Sequence, residues 1–222
     1  MKRFPILTLT LAGLALAIHA IPGAASWLEF SRTALERGAI WRLATAHLTH
    51  FSADHLRWDV VALILLGAIA ENLSRRAYAL TLAASATVIG IAIWLFQPQF
   101  DTYRGLSGLD SALFTFIAGR LLFGERPVGD WISPLVALVA IAGFGLKCGY
   151  EIATASTMFV ASDGFAPVPL AHLAGAATGL TGARCSIRQR AVEQVLQLRD
   201  ADSLDRAVEP ELFDQRSVSK RI

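Results

Sequence analysis

The chain has 222 residues, 54% hydrophobic and only 17% charged, with a mean hydropathy of +0.49 and a net charge of +2. Soluble domains carry roughly 25% charged residues, so the apolar surplus points to an all-α polytopic membrane protein. The small net charge, with no basic stripe interleaved with aromatics, argues against nucleic acid as a partner.

Met1-Lys2-Arg3 leads into an apolar run from Phe4 to Ile21. The basic start places this end in the cytoplasm. The same stretch has the form of a signal peptide, with Ala24-Ala25-Ser26 as a small-residue cleavage site, but the spans that follow favour a retained first helix. Residues 24–46 mix Trp27, Phe30, Leu35 and Trp41 with Glu29, Arg32, Glu36, Arg37 and Arg42. That composition predicts a segment lying at the membrane interface, anchored by tryptophan and arginine at headgroup depth; its length argues against an ordinary structureless loop.

His47 to Leu73 reads as the second span, closed by Arg75 and Arg76 on the cytoplasmic side. The third runs from Tyr78 to Phe96 and stops at Gln97-Pro98. The fourth, from Ser107 to Phe123, heads inward, and the fifth, from Trp131 to Lys147, heads out. Tyr150 to Pro167 is predicted to be an outer loop carrying Glu151 and Asp163, and Val168 to Ala183 the sixth span, followed by Arg184, Arg188 and Arg190. The expectation is a six-helix membrane domain over 1–184 with both ends cytoplasmic, although the arginines between 32 and 42 run against the charge bias. Residues 185–222 are predicted to form a tail: a short amphipathic helix around Val192, Val195, Leu196 and Leu198, then disorder from 207. Cys148 and Cys185 fall near the ends of different spans, which disfavours a disulfide; they read as small apolar residues.

Chemistry concentrates at the predicted outer ends of three spans. Ser107 sits in Gly105-Leu106-Ser107-Gly108 at the start of the fourth span, and His172 lies about one turn into the sixth. At 1.5 Å per residue both fall within roughly 10 Å of the outer end of their helices, so they share a layer, as a nucleophile and its base must. Gly175 and Gly179 follow His172 on its own face as G-x-x-x-G, a pattern that lets helix backbones approach closely. His55 and Asp59, at i and i+4 on the second span, share one helix face at the same depth. His55 and the Ser107 backbone N–H are candidate oxyanion donors. Asp59 donates only if protonated and otherwise orients a histidine; Asp110, one turn beyond Ser107, is a second carboxylate near the site.

Three other readings compete. His47, His50 and His55 offer three imidazoles, but their spacing is not helical and no Glu-bearing zinc motif accompanies them, so neither a metal nor a cofactor is predicted. A transporter should show charges lining a mid-membrane path and, in many folds, internal repeats; neither is evident. A catalytically inactive protein that binds client transmembrane helices is the remaining alternative, and the presence of both Ser107 and His172 counts against it.

Taken together, these residues resemble the rhomboid intramembrane serine proteases over roughly residues 4–184. The matching pieces are Trp41-Arg42, His50 and His55 with Asp59, Gly67 through Glu71, Gly105-x-Ser107-Gly108, and Ala171-His172-x-x-Gly175-x-x-x-Gly179. The resemblance implies a six-transmembrane rhomboid-like bundle in a bacterial inner membrane. Ser107 would be the nucleophile and His172 the base of a dyad lacking a third carboxylate, with the site opening to the periplasmic side. It implies that His55 assists the Ser107 amide at the oxyanion, and that His50 braces the first loop. Rhomboids usually carry Asn where this chain has Asp59, which puts an oxyanion role for that position in doubt. The compact form and the Trp58-Asp59 pair look like the rhombosortase branch. That branch implies, as partners in the lipid bilayer, transmembrane or C-terminal anchor helices of secreted or surface proteins with a Gly-Gly motif, an apolar helix and a basic end.

Overall fold

A computed structural model describes residues 4–158 and 166–218, the side chains of 200–218 excepted. Lys2, Arg3 and Asp163, used above, lie outside the described residues. The chain divides into two compact units, Met1–Arg184 and Cys185–Ile222.

The first unit is helical. Helix α1 (Ile6–Ala20) is followed by a connecting segment of short pieces: α2 (Ala24–Leu28), strand β1 (Phe30–Ser31), α3 (Arg32–Glu36), α4 (Arg42–Thr45) and a 3-10 turn at Ala46–Leu48. Then come α5 (Ala53–Leu73), α6 (Arg75–Phe96), strand β2 (Thr102–Tyr103), α7 (Ser107–Phe123), α8 (Ile132–Thr154) and α9 (Pro169–Val218). By length and composition alone, α6 and α8 are long and apolar enough to cross a membrane, and α1 is a shorter apolar helix.

Local capping explains where helices begin. Ser52 caps α5 by accepting from the His55 N–H, and Ser74 caps α6 by accepting from Ala77 N–H. The second helix therefore starts at Ala53 rather than at His47, which leaves His47 and His50 in the connecting segment. At its other end α8 passes the predicted stop at Lys147 and continues to Thr154, so Glu151 is helical rather than in a loop. In the tail the backbone is helical through Val218, with 219–222 outside the described residues. From Cys185 to Glu209 the sequence holds neither Gly nor Pro, so nothing in that run breaks a helix.

Helix α1 is tied to α5 and α6 by polar contacts. The buried Glu71 carboxylate accepts from Thr8 N (3.0 Å), Thr8 Oγ1 (2.9 Å) and Arg75 Nε (3.0 Å), and the Tyr78 hydroxyl, 3.1 Å from Thr8 Oγ1, can donate to it in turn. A Cβ on Gly67 would meet the Thr8 side chain at 2.6 Å, so the small residue there admits α1.

The connecting segment corrects one expectation. Trp27 and Trp41 are exposed, as an interfacial segment predicts, but Arg42 is buried and turns inward, donating to the Ser26 and Glu29 carbonyls at 3.0 Å. Arg32 likewise donates to the carbonyls of Trp94 and Gln97 at the open end of α6. These two arginines satisfy backbone carbonyls of the connecting segment and of α6. β1 pairs antiparallel with β2, Phe30 opposite Tyr103, and this pins the connecting segment to the chain entering α7.

Candidate active site

Ser107 is the first residue of α7, and the turn before it is held from several directions. Gly105 has φ +126°, a conformation that glycine tolerates and L side chains rarely adopt. A Cβ there would also meet His55 Nε2 at 2.8 Å. Gly105 N donates to the Ala46 carbonyl (3.3 Å), and its own carbonyl accepts from Tyr103 Oη (3.3 Å). Burial pushes the Tyr103 phenol well above its ordinary value, so it remains an O–H donor. The buried His47 ring lies between the Ala86 carbonyl (Nε2, 3.1 Å) and the Gly105 carbonyl (Nδ1, 3.4 Å), and burial lowers its proton affinity, so a neutral ring donates to one of the two.

Asp59 is an acceptor at the centre of this turn. Its Oδ2 receives Leu106 N–H at 2.8 Å and lies 3.2 Å from His50 Nε2 and 3.3 Å from His55 Nε2. The carboxylate thus joins the connecting segment, α5 and the serine turn at one atom. Burial lowers the proton affinity of His50 and its bond to Asp59 opposes that shift, so His50 serves as a donor to the carboxylate. The three imidazoles grouped by sequence spacing do not converge: His47 turns to backbone carbonyls, while His50 and His55 turn to Asp59. Asp59→Ala should strand the Leu106 N–H and the His50 donor. At about 1–3 kcal/mol for a buried unsatisfied group, we expect a loss of roughly 3 kcal/mol, read as a lowered unfolding midpoint in detergent; an unchanged midpoint would contradict the clamp.

His172 sits in the first turn of α9, buried, with Nε2 3.1 Å from Ser107 Oγ. Two residues 65 positions apart in the sequence therefore meet within hydrogen-bond distance. Gly175 and Gly179 allow this: a Cβ on Gly175 would collide with the Gly108 carbonyl oxygen, and one on Gly179 with the Ala112 carbonyl oxygen. Trp41 and Arg42 are not at the serine; they belong to the connecting segment that supports it.

On its far side the His172 ring meets a pair that sequence reasoning assigned to a span end and a loop. Nδ1 is 3.0 Å from Glu151 Oε2 and 2.9 Å from Lys147 Nζ, and those two side chains are 2.8 Å apart. The available signal was the i, i+4 spacing of Lys147 and Glu151, legible once α8 is carried past Lys147. The Asp110 carboxylate is buried, and neither oxygen has a hydrogen-bond partner among the described residues. Ser107, His172, Glu151, His55 and Asp110 line a cavity of about 820 Å³, with Trp58, Phe114 and Phe144 supplying apolar wall.

This arrangement can activate an alcohol: a serine Oγ–H opposite an imidazole nitrogen, at a helix N-terminus whose first N–H groups lack intrahelical acceptors. The family model for the Rhomboid domain matches residues 37–189, which include both Ser107 and His172. A search of curated proteins finds no match.

Proposed function

The chain belongs to the rhomboid family, membrane proteins that are in general intramembrane serine proteases acting on transmembrane substrates, and on that premise we propose that it is a Ser107–His172 endopeptidase. The observation that carries this reading is the 3.1 Å approach of His172 Nε2 to Ser107 Oγ. In this reading α1, α5, α6, α7, α8 and the first part of α9 cross a bacterial inner membrane six times with both termini cytoplasmic, and the cavity opens near the outer face.

A substrate helix enters the cavity partly unwound, with its scissile carbonyl at the depth of Ser107. His172 Nε2 takes the Ser107 proton as Oγ attacks, and the tetrahedral oxyanion is held by the Ser107 N–H, with His55 assisting by turning its N–H from Asp59 to the substrate. His172 then gives the proton to the leaving amine, and water or another nucleophile releases the acyl group. The Trp58-Asp59 pair supports the rhombosortase branch, hence C-terminal tails with Gly-Gly, an apolar helix and a basic end. Glycines lower the cost of unwinding the substrate, since Gly is about 1 kcal/mol poorer than Ala in a helix.

The test is cleavage of a reporter carrying such a tail by purified protein in detergent, with a fluorophosphonate probe mapped by mass spectrometry. We expect probe on Ser107, and cleavage slowed roughly tenfold or more when Leu-Leu replaces Gly-Gly, two positions at about 1 kcal/mol each. Folded protein that neither labels nor cleaves would favour a client-binding protein without catalysis, and probe on another serine would overturn the site.

A further inference from the structure

The feature the dyad leaves unused is the pair behind His172. Helix α8 has 23 residues, and only Ala137, Cys148 and Glu151 among them are buried. The rest of the helix is intermediate or exposed, as suits a helix against lipid. A carboxylate is therefore one of three residues that this apolar helix turns inward. Burying an ionised carboxylate costs several kcal/mol, and an ion pair formed inside seldom recovers that as stability. A Lys-Glu pair serving only as a brace could stand on the exposed face of α8 at less cost. Glu151 instead has Oε2 3.0 Å from His172 Nδ1, on the side of the ring opposite the serine.

We propose that Glu151 is a positioning residue that completes a Ser107–His172–Glu151 triad, and that Lys147 tempers it. The proposal rests on the serine protease reading above. A neutral imidazole carries one proton on one of its two nitrogens. Glu151 accepts from Nδ1–H and so holds the proton there, leaving the Nε2 lone pair directed at Ser107 Oγ. When Ser107 attacks, its proton moves to Nε2; the imidazolium then has N–H on both nitrogens, and the ionised Glu151 stabilises it without taking a proton.

Lys147 acts against this. An ammonium has donors and no acceptor, and Nζ lies 2.9 Å from Nδ1. Were Lys147 to donate into Nδ1, the ring proton would move to Nε2 and the base would be blocked. Its bond to Glu151 Oε2 (2.8 Å) directs the ammonium to the carboxylate instead and holds that carboxylate beside the ring, at the cost of a positive charge that disfavours the imidazolium. The other titratable side chains lining the same cavity are His55, Asp59, Tyr103, Arg104 and Asp110.

The experiment measures the second-order rate of fluorophosphonate labelling of the full chain in detergent between pH 5 and 9, for wild type, Glu151→Gln, Glu151→Asp, Lys147→Met and Ser107→Ala. Glu151→Gln should slow labelling roughly a hundredfold, within the range of orienting acid–base groups, and move the acid limb of the profile to lower pH, because the imidazolium loses its counter-charge. Lys147→Met should move the acid limb the other way. Glu151→Asp should recover part of the rate. A brace with no role at the ring would not shift the two limbs in opposite directions. Glu151→Gln that labels within twofold of wild type with an unmoved limb overturns the triad while leaving the Ser107 reading intact. Wild type that fails to label, or labelling that survives Ser107→Ala, overturns the protease reading and the triad with it. An unfolding midpoint for each variant identifies any that fails to fold, in which case Lys147→Met carries the decision through the direction of its limb and Glu151→Asp through a rate below that of wild type.

Discussion

Ser107→Ala and His172→Ala should each reduce cleavage of a tail-bearing reporter by roughly 10⁴-fold or more, to a level near background, and the double variant should be no worse than either single one. The magnitude and the non-additivity share one cause. A serine hydroxyl is a poor nucleophile until a base takes its proton, so either loss removes the same transition-state interaction. Substrate binding should survive, because the apolar wall of the cavity, Trp58, Phe114 and Phe144, is untouched. The two variants therefore separate catalysis from folding: Ser107→Ala removes one hydroxyl, with its bond to His172, and should leave the unfolding midpoint within a few degrees of wild type. A Ser107→Ala protein that still cleaves would mean that the nucleophile lies elsewhere.

Why Ser107 and His172 could be paired from sequence while Glu151 could not is a matter of which interactions have a local signature. The serine turn announces itself by glycines at 105 and 108, and the histidine by its place in an apolar run followed by Gly175 and Gly179. The apolar runs that became α6 and α8 were legible for the same reason, since such runs and their breaks are local. What was not legible depends on where helices end and which way side chains turn. Lys147 reads as the end of a span because charge is expensive in lipid, yet in the fold its charge is matched by Glu151 one turn on, and the helix continues. Arg42 reads as a headgroup anchor because exposed and buried arginines look alike in sequence; only the fold shows the Ser26 and Glu29 carbonyls that claim it. Asp59 is the same case: composition marks a carboxylate of undecided role, and its function as an acceptor for Leu106 N–H appears only when α5 and the serine turn are side by side.

Gly179→Val should yield almost no folded protein, and Gly175→Val little more, whereas Gly145→Ala should be neutral or slightly stabilising. The contrast follows from what a side chain would meet. At Gly179 a Cβ falls on the Ala112 carbonyl and the Thr115 hydroxyl, and at Gly175 on the Gly108 carbonyl, with Ala112 N at 3.4 Å. Three of these are backbone atoms of α7, which no rotamer change can move aside. Overpacking against side chains costs about 1–3 kcal/mol; displacing one helix from another costs more, on a total stability of about 5–15 kcal/mol. Separation of α7 from α9 would also break the Thr115 Oγ1 bond to the Ala176 carbonyl (2.8 Å) and draw His172 away from Ser107. Gly145 has nothing within 4 Å of its missing Cβ, so alanine there gains the helix propensity that glycine lacks, roughly 0.5–1 kcal/mol. Yield and unfolding midpoint of the three variants measure the effect. Gly179→Ala supplies the intermediate case: it should fold less stably than wild type and lose labelling of Ser107 in larger proportion than it loses folded protein, because the geometry at the serine fails before the bundle does. Equal losses would mean that the glycine seam serves stability alone and that the spacing of Ser107 and His172 is set by other contacts.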